Sequence, residues 1–283
     1  MSKRRRIFKV GLVQLDVGPD IRDNLRRARL LCERAARRGA DLICLPELFN
    51  YMGDFHHPCE AAEKVAGPSI SMLRNLAAEH RVHIVAGSIL ERRGRRLPLN
   101  TCFLIGPDGE ILARYSKMYL FDIDIPGRIH YSESRVMRPG SHATVARTKL
   151  GTFGFAICND LRYPELFRRM ISAGSEVIFL PSAFTRFTGR DHWLTLTRAR
   201  AIENQCYIVA VNQSGRNAEG VRFFGSSVVV DPWGRVLKEA PAKGDAMLIC
   251  PIDLNAVARL RKQLPAVKKI RKFISLKRFG PHK

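Results

Sequence analysis

"RRGADLICLPELF" at residues 37–49 and "ISAGSEVIFLPSAF" at 171–184 read as one construction written twice. Each passes a glycine, one acidic residue and an apolar run before reaching a proline, Pro46 in the first and Pro181 in the second. Neither run alternates with polar residues, which predicts strands covered on both faces. A second pair echoes in the same way: "LIGPDGEILARY" at 104–115 and "VVVDPWGRVLKEA" at 228–240, with Pro107 and Pro232 aligned. Both offsets are about 130 residues. Two related halves follow, each a sheet with helices on one face. Packed sheet to sheet, they predict an α/β fold, a four-layer α-β-β-α sandwich with internal pseudo-two-fold symmetry.

Working outward, "FKVGLVQL" (8–15) reads as a strand and "NLRRARLLCERAARRG" (24–39) as a helix, with Asn24 as N-cap and Gly39 as C′ stop. "SISMLRNLAAEHR" (69–81) reads as a helix, and "VHIVAGSI", "NTCFLIGP" and "ILARYS" as strands. Residues 117–140 look irregular and too long for a simple linker, so a functional loop is expected. The second half resumes with strands "ATVART" and "TFGFAIC" and helix "PELFRRMISAG", Pro164 suiting its first position. Strand 176–184, a helix from His192, three further strands and a basic helix complete the chain. No Pro/Gly/Ser-rich linker divides it. A single domain over 1–283 is expected, with its core at about 7–258 and a basic C-terminal segment at 259–283.

At 283 residues and 46% hydrophobic, the chain can bury a sizeable core. No stretch approaches the ~18 uninterrupted apolar residues of a membrane helix, and the start lacks the h-region of a signal peptide. The seven cysteines are odd in number and widely spaced, which argues against a disulfide framework. There is no C-x-x-C or H-E-x-x-H, so neither a metal nor another cofactor is expected. A cytoplasmic protein with reduced thiols fits this usage. The formal charge is +22, and from Arg259 onward ten Lys or Arg residues stand with no acid. Further basic runs lie at 3–6, 26–38 and 91–96. Such a field draws anions, although runs of this kind are commonly solvated faces.

Sites in α/β sheets gather at the carboxyl ends of strands, and Glu47, Lys117 and Cys158 stand at or just beyond such ends. Cys158, in "GFAICNDLRYPEL" (154–166), sits where an apolar strand meets a polar turn. If a helix begins there, free N–H groups and its dipole favour the thiolate; a buried small hydrophobe is the plain alternative, and the one preferred for the other six cysteines. Glu47 closes an apolar strand, a costly place for an unpaired carboxylate. Together the three supply a base, an oxyanion partner and a nucleophile.

The segments "LPELF" (45–49), "YSKMYLFDIDIPGRIHYSESRVMRPG" (115–140), "ICNDLRYPEL" (157–166) and "TGRDHW" (188–193) resemble those of the nitrilase superfamily of carbon–nitrogen hydrolases. The likeness runs from about residue 7 to 265, and the "FDIDIPG…ES…PG" loop most resembles the ω-amidase branch. The resemblance implies the sandwich read above, a homodimer or higher homo-oligomer, and covalent catalysis. It makes Cys158 the nucleophile, Glu47 the general base, Lys117 the lysine that steadies the oxyanion, and Glu133 a second glutamate holding that lysine and the substrate. Asn159 departs from the tyrosine that many relatives carry after the nucleophile; its N–H remains available as oxyanion donor. Arg162 matches an arginine that grips a substrate carboxylate, with an internal ion pair to Asp160 or Glu165 as the alternative. Arg186 and Arg190 are further candidates to face the pocket, Tyr51, Tyr119 and Phe121 candidates for its wall, and His192 and Trp193 packing residues.

The expected activity is hydrolysis of a small carboxylate-bearing amide, ω-amidase-like, to acid and ammonia. The same three residues would serve an N-carbamoyl compound, a deaminated peptide amide or, least of all, a nitrile. A different class of reading is a polyanion-binding protein on a hydrolase scaffold. Against it, the basic runs lack interleaved aromatics for base stacking.

Overall fold

The structure, a computed structural model, describes residues 6–53, 61–127 and 129–269. Cys59, most of the 3–6 basic run and residues 270–283 of the basic C-terminal segment lie outside the described residues.

The first half contributes β1 (Ile7–Gln14), α1 (Ile21–Arg37), β2 (Leu42–Cys44), α2 (Pro68–His80), β3 (His83–Val85), β4 (Ile89–Glu91), β5 (Leu99–Ile105) and β6 (Ile111–Ser116). A small hairpin follows, β7 (Asp122–Ile125) with β8 (Ile129–Ser132). β9 (Val145–Arg147) closes the first half, and the second half contributes β10 (Thr152–Phe155), α3 (Pro164–Ser172), β11 (Val177–Ser182), α4 (Arg186–Asn204), β12 (Tyr207–Asn212), β13 (Val228–Val230), β14 (Val236–Glu239), β15 (Ala246–Asp253) and α5 (Leu254–Gln263).

The repeat is real at the level of topology. β1, β2 and β3 run parallel, then β5 and β6 add antiparallel; β10, β11 and β12 run parallel, then β13 and β14 add antiparallel. The halves also exchange their edges. β9, at the end of the first half, pairs with β10 of the second sheet, while β15, at the end of the second, pairs with β1 of the first over eight registered positions. Each sheet therefore needs a strand from the other half.

Side-chain alternation makes the layers. Phe8, Val10 and Leu12 of β1 join Leu42 and Cys44 in the core between the sheets, where the Phe8 ring lies 5.8 Å from that of Phe153 on β10. Ile43 and Leu45 point the other way, against Leu31, Ala35, Leu73 and Ala77 of α1 and α2. Leu166, Phe167 and Met170 of α3 and Trp193 of α4 cover the outer face of the second sheet. Each of the Leu, Ile, Val, Phe and Met side chains among them contributes about 1.5–3 kcal/mol of burial. This is the four-layer α-β-β-α sandwich.

Several boundaries differ from the sequence reading, each for a local reason. The N-cap of α1 is Asp20, whose Oδ1 accepts from the N–H groups of Arg22 (2.8 Å) and Asp23 (3.2 Å). Asn24 is buried inside the helix and donates to the carbonyls of Gly18 and Asn50. "VHIVAGSI" is two strands, broken at Gly87 (φ +49), where any Cβ would overlap the Pro46 carbonyl. α4 starts six residues earlier than read, because the Thr185 side chain caps Thr188 N–H. Most consequentially, the strand before Cys158 ends at Phe155, and Cys158–Arg162 form a 3-10 turn; the α-helix begins only at Pro164. The helix dipole invoked for the thiol is thus set back from it.

Candidate active site

Glu47 follows β2 by three residues and is 1% exposed. Its Oε1 accepts from Asn100 Nδ2 (2.7 Å) and Lys117 Nζ (2.9 Å), its Oε2 from the Ala183 N–H (2.7 Å) after β11. Lys117 follows β6 directly and is equally buried. Its Nζ also lies 2.8 Å from the Glu133 carboxylate, which accepts the Phe121 N–H at 2.7 Å. The hairpin thus returns Glu133 onto the lysine. Two carboxylates flank one ammonium away from water, an arrangement that holds only when every partner is present.

Charge follows from this packing. Burial alone would lower the Lys117 ammonium, but Glu133 and Glu47 outweigh it and hold it well above its ordinary range. Burial, with Glu47 adding, raises the Glu133 carboxyl to about 7 against the pull of Lys117. The Cys158 thiol is likewise pushed well up, first by burial and then by Glu47, with Lys117 opposing. That direction favours the thiol over the thiolate, so the activation read from the sequence has to come from a neighbouring base. Its backbone is left-handed (φ +46), a conformation that costs a non-glycine residue about 1–2 kcal/mol and turns the chain sharply at the sulfur.

Two cavities meet at Cys158. The larger, ≈ 490 Å³ to its open mouth, is walled by Glu47, Glu133, Phe121, Tyr131, Thr185 and Asn217 among others. The smaller, ≈ 190 Å³, reaches past Asn159 to Arg162, Phe184 and Thr188. A carbon–nitrogen hydrolase family model matches residues 9–262, nearly the whole sandwich with this site inside it.

The chain belongs to the carbon–nitrogen hydrolase family.

Among these hydrolases it is 38% identical over 265 residues to mouse omega-amidase NIT2, covering 93% of this chain and 95% of that one. It is 36% identical over 267 residues to the deaminated glutathione amidase of Synechocystis, covering 92% and 97%. Among solved structures, the C. elegans NitFhit protein superposes with a TM-score of 0.89 at 33% identity, over 95% of this chain and 66% of that longer one. Saccharomyces cerevisiae Nit3, a nitrilase-superfamily member, superposes with a TM-score of 0.85 at 32% identity, over 96% and 99%.

Within this candidate site, Phe121 lines both cavities. Arg162 reaches the smaller one half-buried. Its Nε donates to Asn159 Oδ1 (3.0 Å), its Nη1 lies 3.0 Å from His192 Nδ1, and its guanidinium stands over the Phe184 ring at 5.0 Å. Neither Asp160 nor Glu165 pairs with it. Asp160 is turned inward, accepting from Tyr115 OH (2.7 Å), Ile157 N–H (2.8 Å) and Tyr119 N–H (2.9 Å). Asn159 spends its amide on the Leu120 carbonyl (3.0 Å), so its side chain clamps the lysine loop and orients Arg162 rather than facing the cavity floor. Arg186 and Arg190 are exposed and line neither cavity; Arg190 pairs with Asp191. Tyr51 packs at the edge of the outer core of the first sheet, and Tyr119 stacks on Tyr163 (3.6 Å between centroids). Trp193 is core, but the exposed His192 touches Arg162, so it is more than packing.

The sequence reading missed Asn100, Asp160, Tyr131 and Asn217. Asp160 lay in the motif beside Cys158, and its type at a strand-to-turn join was a usable signal. The others are ordinary strand and loop residues whose role depends on what folds against them.

Proposed function

We propose that this hydrolase cleaves a small amide carrying a free carboxylate, in the manner of an ω-amidase, with Cys158, Glu47, Lys117 and Glu133 as its working residues. The observation that carries the substrate class is Arg162, a half-buried guanidinium in the cavity at Cys158 whose contacts are an amide, an imidazole and an aromatic face. Among the described residues no carboxylate lies within ion-pairing distance of it. A planar fork without a counter-ion suits a bidentate substrate carboxylate. The names of the relatives, omega-amidase and deaminated glutathione amidase, agree with a substrate bearing both amide and carboxylate.

Cys158 Sγ attacks the amide carbon while its proton passes to Glu47, which matters because burial favours the thiol over the thiolate. Lys117, with two of its three N–H donors engaged by Glu47 and Glu133, turns the third to the oxyanion beside the Asn159 N–H. The C–N bond breaks as Glu47 returns the proton to the departing ammonia, leaving an acyl thioester. Water then enters, gives a proton to Glu47 and attacks the thioester carbon; the acid leaves and the thiol is restored.

A homodimer or higher oligomer fits the exposed Phe187, Leu194 and Ile202 along α4. A reducing, cytoplasmic setting fits the six described cysteines, all buried and unbridged. No helix of the described residues is long and apolar enough to cross a membrane.

Ammonia release from 2-oxoglutaramate, 2-oxosuccinamate, glutamine, asparagine and N-carbamoyl amino acids, with wild type and Cys158→Ala, tests the reading. Release from the 2-oxo amides, absent in Cys158→Ala, is expected. Turnover surviving in Cys158→Ala would remove the nucleophile, and preference for carbamoyl compounds would replace the substrate class.

A further inference from the structure

The arginine-rich stretch at 91–96 plays no part in the amide reaction, yet it helps to build a second polar cavity. Arg93, just past β4, Arg114 of β6, and Arg138, Ser141, His142 and Thr144 of the segment leading to β9 surround about 510 Å³ of space. This cavity shares no lining residue with the two at Cys158.

Its charge is unbalanced. Glu91, 1% exposed, lies 2.7 Å from Arg93 Nη2 and 3.5 Å from Arg114 Nη1. Arg138 Nε donates to the Leu97 carbonyl (3.0 Å), and among the described residues no carboxylate pairs with it. Three guanidiniums thus face one carboxylate, an excess of two positive charges in a concave site, where field lines concentrate. The Ser141 hydroxyl, 2.7 Å from His142 Nδ1, adds a neutral polar group on the rim. The back wall is fixed by main chain. Gly140 N–H donates to the Lys117 carbonyl at 2.7 Å, and a Cβ on Gly140 would overlap the Ser116 carbonyl.

We propose that this cavity binds a phosphate group, either inorganic phosphate or the phosphoryl end of a small monoester. Converging guanidiniums match the tetrahedral oxyanion through paired N–H donors, and its two negative charges balance the local excess. The local, concave shape and the lack of any lining Phe, Tyr or Trp separate it from a nucleic-acid groove, which tracks a backbone and stacks bases.

Calorimetric titration at constant ionic strength, with inorganic phosphate in one arm and glycerol 3-phosphate in the other, tests this and identifies the source by the tighter arm. Saturable binding is expected in wild type. Arg138→Ala and Ser141→Asp each weaken it by about tenfold or more. Ser141 is exposed and, among the described residues, its side chain bonds only to His142, so Ser141→Asp breaks no core contact and its ligand-free melting temperature does not fall below that of wild type. Arg162→Ala retains phosphate binding. No saturation by ~10 mM, unchanged affinity in Ser141→Asp, or loss in Arg162→Ala would each overturn the proposal. So would an RNA duplex that shifts in a Ser141-dependent way while phosphate does not saturate. None of these readouts depends on amide turnover, so this proposal and the amidase reading fail separately.

Discussion

Lys117 Nζ stands between two buried carboxylates, 2.9 Å from Glu47 Oε1 and 2.8 Å from Glu133. The lysine is brought by β6, Glu47 by β2 and Glu133 by the return of the β7–β8 hairpin. The pair of acids holds the ammonium charged, and the ammonium in turn lets both acids stay buried.

The first prediction concerns Glu133. Its carboxyl ionises at about 7 in the folded protein against 4.5 ordinarily, through burial opposed by Lys117. Activity should fall as pH drops below about 7, because a protonated Glu133 releases its hold on Lys117. For stability the sign is opposite: between 4.5 and 7 the native state keeps a proton the unfolded chain has lost, so this group's contribution declines as pH rises. Denaturant titrations at pH 5 and 7.5 should show the stability of wild type relative to Glu133→Gln falling over that interval. A difference that is flat or rising would refute the assignment.

Asp160 makes a sharper test of structure. It accepts three hydrogen bonds and offers none, so Asp160→Asn turns an N–H toward a donor. A loss of about 1–3 kcal/mol is expected from one buried mismatch, read as a lower midpoint in urea. The Cys158 turn and the Lys117 loop lose their common tie, and kcat should fall with it. Wild-type stability in this variant would mean the tether is idle.

Glu47→Gln keeps the size of the side chain and an acceptor for Asn100 or Ala183, but removes the carboxylate proposed as base. A drop in kcat of about 10²–10⁴ is expected for loss of one proton-transfer group, with KM little changed. Because burial alone still pushes the Cys158 thiol up in this variant and no base remains to take its proton, the acylation burst should disappear along with steady-state turnover. A preserved burst would make Glu47 a deacylation residue alone.

Arg162 and Asn159 should separate binding from chemistry. Arg162→Ala loses charged hydrogen bonds of about 1.5–3 kcal/mol, raising KM roughly 10- to 100-fold for carboxylate-bearing amides and leaving neutral amides unaffected. Asn159→Ala frees Arg162 Nε and should give a smaller change of the same kind, with kcat kept because the backbone N–H at 159 survives. An equal effect on neutral and acidic amides would assign Arg162 to structure.

The sequence by itself determined the repeat, the unbroken apolar strands that must be covered on both faces, and the three chemical groups at strand ends. These are local: composition and period suffice to state them. It did not determine that β9 and β15 are exchanged between the sheets: β15 pairs with β1 more than two hundred residues away, and such pairing leaves no periodic mark. Nor did it reveal which way Asp160 turns, that Arg162 finds no carboxylate among the described residues, or that burial pushes the thiol up. Those depend on what surrounds a side chain once water has been excluded, and that surrounding is assembled only when Glu47, Lys117, Glu133 and Cys158, distant in sequence, are packed together at the ends of two facing sheets.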